Sequence, residues 1–280
     1  MESPALHFVP EGELKVAVWE WPGESPWLLF AHATGFHGRC WDHIVQRFPG
    51  RRALAMEFRG HGRSSQVERP ISWSKFAQDV IAVGQHFDLR GAVGVGHSMG
   101  GHALLSAAIQ QPGIFSALVL VDPVIYPREF YQAPRFDASF IARRRNHFSS
   151  PDEMYHRFHR RLPFSAWQPG VLRNYCDYAL LPHGDSFVLA CRPAVEAAIY
   201  EGSNAPENDL YGGMAGVEIP VTILRAGTGY TTSFDLNASP TNPDVAACLP
   251  RGRDVFLADH NHYIPMEAPE MVEVEVRRYS

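Results

Sequence analysis

The sequence predicts an α/β fold: a mainly parallel central sheet with helices on both faces, interrupted late by a helical insertion. Three observations predict it. Short apolar runs alternate with helix-period segments through the first half of the chain. Most of those runs lack strict apolar–polar alternation, as strands buried on both faces do. The texture then changes over residues 124–216, and the strand pattern returns afterwards.

In chain order, Lys15–Trp19, Trp27–Ala31, Ala53–Phe58 and Ala92–Gly96 are brief, apolar and bounded by glycine, proline or charge, so each is a predicted strand. Trp73, Phe76, Ala77, Val80, Gly84 and Phe87 recur at helical spacing, with Ser72 placed to cap the start. Ala103–Gln110 predicts a second helix, closed by Pro112-Gly113, and Ala117–Val121 a further buried strand. Between Val124 and Gly216, aromatics and arginines mix at helical spacings while prolines interrupt, and no buried-strand run appears. Strands resume at Pro220–Ala226 and Val255–Ala258, with a last helix from Pro269. Thr228–Pro243 is polar and breaker-rich, a loop without regular structure. The expected division is a sheet domain, 1–123 with 217–280, and an inserted helical subdomain, 124–216.

Hydrophobic residues make up 45% of the 280 and charged residues 20%, ordinary for a globular protein with a sizeable core. A formal charge of -5 gives no reason to expect nucleic acid or an anionic membrane surface as partner. Met1 to Trp21 lacks an unbroken apolar run behind a basic start, so no signal peptide is expected. No apolar run approaches the ~20 residues that span a bilayer. Cys40, Cys176, Cys191 and Cys248 show no C-x-x-C spacing and read as buried thiols, which points to the cytoplasm. Oligomeric state is left open.

The sharpest chemical signal is Gly96-His97-Ser98-Met99-Gly100, directly after a predicted strand and before a helix. A serine on such a turn is held in a strained backbone conformation that small neighbours permit, with its hydroxyl raised at the carboxyl edge of the sheet. Ser98 is therefore the candidate nucleophile. A serine hydroxyl needs a base within hydrogen-bond reach, and His262, following the last strand, falls at the same edge. His260 is its neighbour and competitor. Two backbone donors must meet the oxygen of a tetrahedral intermediate, and the N–H of Met99, just past the serine, supplies one.

With these residues in view, the chain resembles the α/β-hydrolase superfamily. Ala31-His32-Ala33-Thr34-Gly35 looks like the family's oxyanion loop, and Glu57-Phe58-Arg59-Gly60-His61-Gly62-Arg63-Ser64 like its D-x-R-G-x-G-x-S stretch. His262 to Pro269 looks like its terminal histidine loop. The resemblance implies the α/β-hydrolase fold with a helical cap inserted after the sixth strand. It implies Thr34 as the second oxyanion donor, although Ala33 stands where the family usually carries glycine and its Cβ restricts positive φ. Arg59 and His61 read as loop braces.

For the acid, Asp122 ends the strand Ala117–Val121, where a branch resembling the haloalkane and fluoroacetate dehalogenases places one. Asp235, in the later loop, is the alternative. The dehalogenases themselves attack with aspartate, whereas this chain presents serine. Among the insertion's aromatics, Phe130, Phe136, Phe148, Trp167 and Tyr175 are candidates to line an apolar pocket or to form a core of their own. Arg143-Arg144-Arg145 reads first as a solvated helix face and second as an attractor for an anion.

The expected function is hydrolysis of a small, largely apolar ester or lactone through an acyl-enzyme, with no cofactor and no metal, a small molecule as partner, and neither nucleic acid nor membrane. Carbon–carbon bond hydrolysis, perhydrolysis and a ligand receptor with vestigial turnover share the same residues and stay open.

Overall fold

The computed structural model describes residues 3–68, 72–227, 235 and 237–280. Its central sheet draws on β1 (Ala5–Glu11), β2 (Leu14–Trp21), β3 (Glu24–Ala31), β4 (Arg51–Glu57), β5 (Ala92–His97) and β6 (Phe115–Val121). Strands β7 (His147–Phe148), β8 (Leu180–His183) and β9 (Ser186–Leu189) belong to the insertion; β10 (Val221–Ala226) and β11 (Gly252–Leu257) complete the main sheet. The eight strands run in the order β1-β2-β4-β3-β5-β6-β10-β11. From β4 onward all neighbours are parallel; β1 and β2 add an antiparallel edge.

β1 is absent from the sequence reading. It lies at the edge, half exposed, and carries Pro10, which an edge strand tolerates but which breaks the pattern of a central one. Every predicted strand is present.

Consecutive side chains go to opposite faces and both faces are buried. Leu29, Leu54, Leu118 and Leu120 join one core, while Leu28, Phe30, Val119 and Val121 join the other. Helices α1 (Ser74–His86) and α2 (Met99–Gln110) cover the first face through Phe76, Val80, Leu104 and Leu105. The second face is covered by Trp41, Ile44 and Val45, and by Val272 and Val276 of the last helix, Pro269–Val276. Ser72 does not cap α1. Its hydroxyl bonds that of Ser74 at 2.9 Å, and among the described residues no side chain caps the helix's start.

The insertion after β6 is not purely helical. Alongside helices Pro151–Phe158, Pro169–Tyr178 and Pro193–Glu201 it holds the three-stranded sheet β7-β9-β8, too short to leave a run legible beside so many prolines. Its packing is divided. Phe148, Met154, Trp167, Leu172 and Tyr175 form a core of their own against Cys40, Tyr263 and Met266, whereas Ile125, Tyr131, Val195, Ile199 and Met214 sink into the core of the main sheet. Arg144 pairs with the buried Glu196, and Arg145 with Glu153, so two of the three consecutive arginines are held by carboxylates within the insertion. All four cysteines are free thiols; Cys248 is exposed, unlike the other three. No helix among the described residues is long and apolar enough to cross a membrane.

Candidate active site

β5 ends at His97 and α2 begins at Met99, so a single residue, Ser98, makes the turn. Its φ of 56° lies in the left-handed region, where a side chain is strained. The turn survives because its backbone is tied on both sides. Ser98 N–H donates to Val121 O at 3.0 Å, and Ser98 O accepts from His102 and Val124 N–H, each at 3.2 Å. The glycines around it allow helix, strand and loop to touch backbone to backbone. A Cβ on Gly96 would stand 2.7 Å from the Gly100 backbone, and one on Gly100 would stand 2.2 Å from Ala31 O.

Thr34 and Met99 are brought side by side: Thr34 Oγ1 donates to Met99 Sδ at 3.4 Å. Met99 opens α2, so its N–H has no intrahelical acceptor. Two neutral histidines brace the loop that carries Thr34. His32 Nε2 accepts from Phe58 N–H at 3.0 Å, which makes Nδ1 the donor to Ala33 O at 2.7 Å. His61 Nε2 accepts from Gly35 N–H at 3.0 Å, leaving Nδ1 to donate to Arg59 O. Burial lowers both rings' affinity for a second proton, well below the usual value for His32 and to about 4 for His61. Ala33 creates no strain: the positive φ falls at Gly35, at 80°, and Ala33 is not among the non-glycine residues with positive φ. Glu57, its carboxyl group pushed up by burial, accepts from Trp19 Nε1 and Gly38 N–H, and Arg59 pairs with Asp79. These are framework contacts.

His262 Nδ1 donates to Asp122 Oδ2 at 2.7 Å. The second carboxylate oxygen, Oδ1, accepts from Ala226 N–H at 3.0 Å and Ser239 Oγ at 2.6 Å; Thr241 Oγ1 lies 3.2 Å away and donates its proton to Pro123 O at 2.6 Å. Asp122 is fully buried and, like Ser98, has a positive φ, 44°. Asp235 is exposed and accepts from Asn237 N–H and Nδ2, closing a turn. His262 is held from behind as well. Its carbonyl accepts from His97 Nε2 at 2.9 Å, and its N–H donates to Asn237 O. His260 lies at the start of this loop, bonded through its backbone to Leu257 and Gly227.

Ser98 and His262 line one cavity with Thr34, Phe36, Trp73 and Tyr263. The insertion contributes Val124, Tyr126, Phe130, Phe136, Tyr200 and Ser203, and the later loop Asp235, Ala238, Ser239 and Pro240. Of the aromatics singled out from the sequence, Phe130 and Phe136 reach the cavity, while Phe148, Trp167 and Tyr175 pack among themselves. Sequence reasoning missed Tyr126, Tyr200 and Ser203, and the Ser239 hydroxyl on Asp122. Ser239-Pro240-Thr241 was legible only as breakers, although a serine and a threonine flanking a proline are also hydroxyls on a fixed bend.

A strained elbow serine and a buried carboxylate–histidine pair, gathered at the carboxyl edge of a mostly parallel sheet, define the α/β-hydrolase class. The chain belongs to the alpha/beta hydrolase family, whose family model matches residues 28–274. Among curated relatives it is similar to a non-heme chloroperoxidase of Streptomyces lividans, 37% identical over 100 residues, covering 35% of this chain and 36% of that one. It is similar also to a bifunctional esterase/perhydrolase of Acinetobacter calcoaceticus, 39% identical over 82 residues, covering 29% and 30%. These matches span about a third of each relative's length. Among solved structures, E-2-(acetamidomethylene)succinate hydrolase shares the fold with a TM-score of 0.81 at 21% identity, covering 99% of this chain and 98% of that one.

Proposed function

We propose that the protein is a serine hydrolase that cleaves a small, largely apolar ester or lactone through an acyl-enzyme. The observation that carries the reading is the Asp122–His262 hydrogen bond in a cavity that Ser98 also lines. In this reading His262 Nε2 takes the proton of Ser98 as its oxygen attacks the carbonyl carbon. Asp122 fixes the tautomer that leaves Nε2 free and stabilises the imidazolium. The N–H groups of Met99 and Thr34 meet the oxyanion. The imidazolium gives its proton to the departing alcohol, and water repeats the sequence to release the acid. The insertion acts as a cap that supplies the substrate-facing aromatic wall. We place the protein in the cytoplasm, with a small molecule as its partner.

The test is a screen of p-nitrophenyl esters of graded acyl length together with simple lactones, against Ser98→Ala as control. Turnover of none by folded wild-type protein overturns the reading. Likeness to an esterase/perhydrolase favours a second acceptor for the same acyl-enzyme, hydrogen peroxide in place of water. Peracid formation that depends on Ser98 would establish it.

A further inference from the structure

One pair of hydroxyls in the cavity has no part in the proposed triad. Tyr126 OH and Ser203 Oγ lie 3.2 Å apart, and both residues line the cavity, exposed by only 8% and 2%. Their surroundings are apolar. The Tyr126 ring stacks with Phe130 at 6.1 Å between centroids and tilts against Phe136 at 5.6 Å. Two hydroxyls that share one hydrogen bond use one of their two protons. Among the described residues neither has another partner, so one O–H and several lone pairs stay unused on two residues that line the cavity. Burial pushes the Tyr126 phenol up to about 12, which keeps it protonated at neutral pH.

The charge of the cavity narrows the choice further. No lysine or arginine lines it among the described residues, and the carboxylate of Asp235 does. Three arginines of the insertion are committed elsewhere: Arg144 to Glu196, Arg145 to Glu153, and Arg128 over the Tyr211 ring at 4.9 Å. Asp122 adds a second negative charge behind His262. A substrate carboxylate would lose its water here and meet no cation in exchange.

We infer that the site takes an uncharged acyl group carrying a second oxygen, as a ketone, hydroxyl or ether, held by Tyr126 and Ser203, and turns away acyl groups bearing a carboxylate. This rests on the hydrolase reading above, so the test reads binding apart from turnover. Ser98→Ala protein is titrated calorimetrically with ethyl pentanoate, ethyl 4-oxopentanoate and monoethyl succinate. The oxo ester should bind about tenfold more tightly than the alkyl ester, the worth of one neutral hydrogen bond. The half-ester should bind about a hundredfold more weakly than the oxo ester. Adding Tyr126→Phe or Ser203→Ala should bring the ratio of oxo to alkyl affinity close to one. A packing role alone would weaken both esters together and keep the ratio. Equal binding of the half-ester and the oxo ester, or a ratio that survives both substitutions, overturns the inference. The expected order of binding with no turnover by wild type would instead overturn the hydrolase reading and leave the pocket assignment standing.

Discussion

Asp122 divides its two oxygens between unlike tasks: Oδ2 holds His262 at 2.7 Å, while Oδ1 accepts from Ala226 N–H and the Ser239 hydroxyl. That division predicts what an amide does there. In Asp122→Asn these two donors retain the amide oxygen, so the NH₂ faces His262 Nδ1 and forces the proton onto Nε2. The base is lost without loss of fold. We expect kcat to fall at least about a hundredfold, against less than about tenfold for Asp235→Asn, with unchanged circular dichroism in both. A dead Asp235→Asn beside an active Asp122→Asn would move the acid to the later loop.

Ser98 yields two separable outcomes. Ser98→Ala should lower turnover on the order of 10⁴-fold and abolish labelling by a fluorophosphonate, which should modify wild type once. Ser98→Gly should be equally inactive yet more stable by about 1 kcal/mol, because glycine adopts the φ of 56° without strain. Thermal melts of the two variants decide it; equal melting temperatures would mean the elbow stores no strain.

His262→Ala should match Ser98→Ala in its loss of turnover, while His260→Ala keeps most of it. The bond to Asp122 is what separates two histidines otherwise so close in sequence. The reverse outcome would show the loop to be misassigned.

Stability should fall on mild acidification. Burial lowers His37 to about 3 and His61 and His102 to about 4, and His32 and His97 are also lowered. An unfolded histidine takes its proton near 6.5, so below that pH the unfolded chain binds more protons than the folded one. The stabilisation is complete above about pH 6.5 and is lost as pH falls toward 4. Asp42, Glu57, Asp79 and Glu196, raised by burial, oppose this in part. Each of the five histidines costs about 2 kcal/mol at pH 5. The melting temperature should drop between pH 7 and pH 5, and drop less for His102→Gln, whose amide can still donate to Asn208 O. A flat profile would rule out neutral buried imidazoles as the cause.

The sheet was legible because strands buried on both faces are written as uninterrupted apolar runs, and Ser98 because a glycine–serine–glycine turn between strand and helix has few other uses. What sequence could not show lies where contacts join distant segments. Ser239 and Thr241 meet Asp122 across a sequence separation of well over a hundred residues, and nothing local marks a loop hydroxyl for that purpose. Tyr126 and Ser203 likewise meet only because the insertion folds back on β6. Pro10 concealed an edge strand, and the proline-rich insertion concealed β7, β8 and β9.

Gly100 rests on Ala31 with no room for even a methyl group. Met99 and the loop carrying Thr34 are thus set apart by main chain pressed on main chain, a spacing that no side-chain substitution can adjust. Selection for a new substrate therefore has little purchase on the proposed oxyanion pocket. It would have to act on the walls instead, at Tyr126, Phe130, Phe136 and Ser203, where side chains can be exchanged while the reacting centre keeps its dimensions.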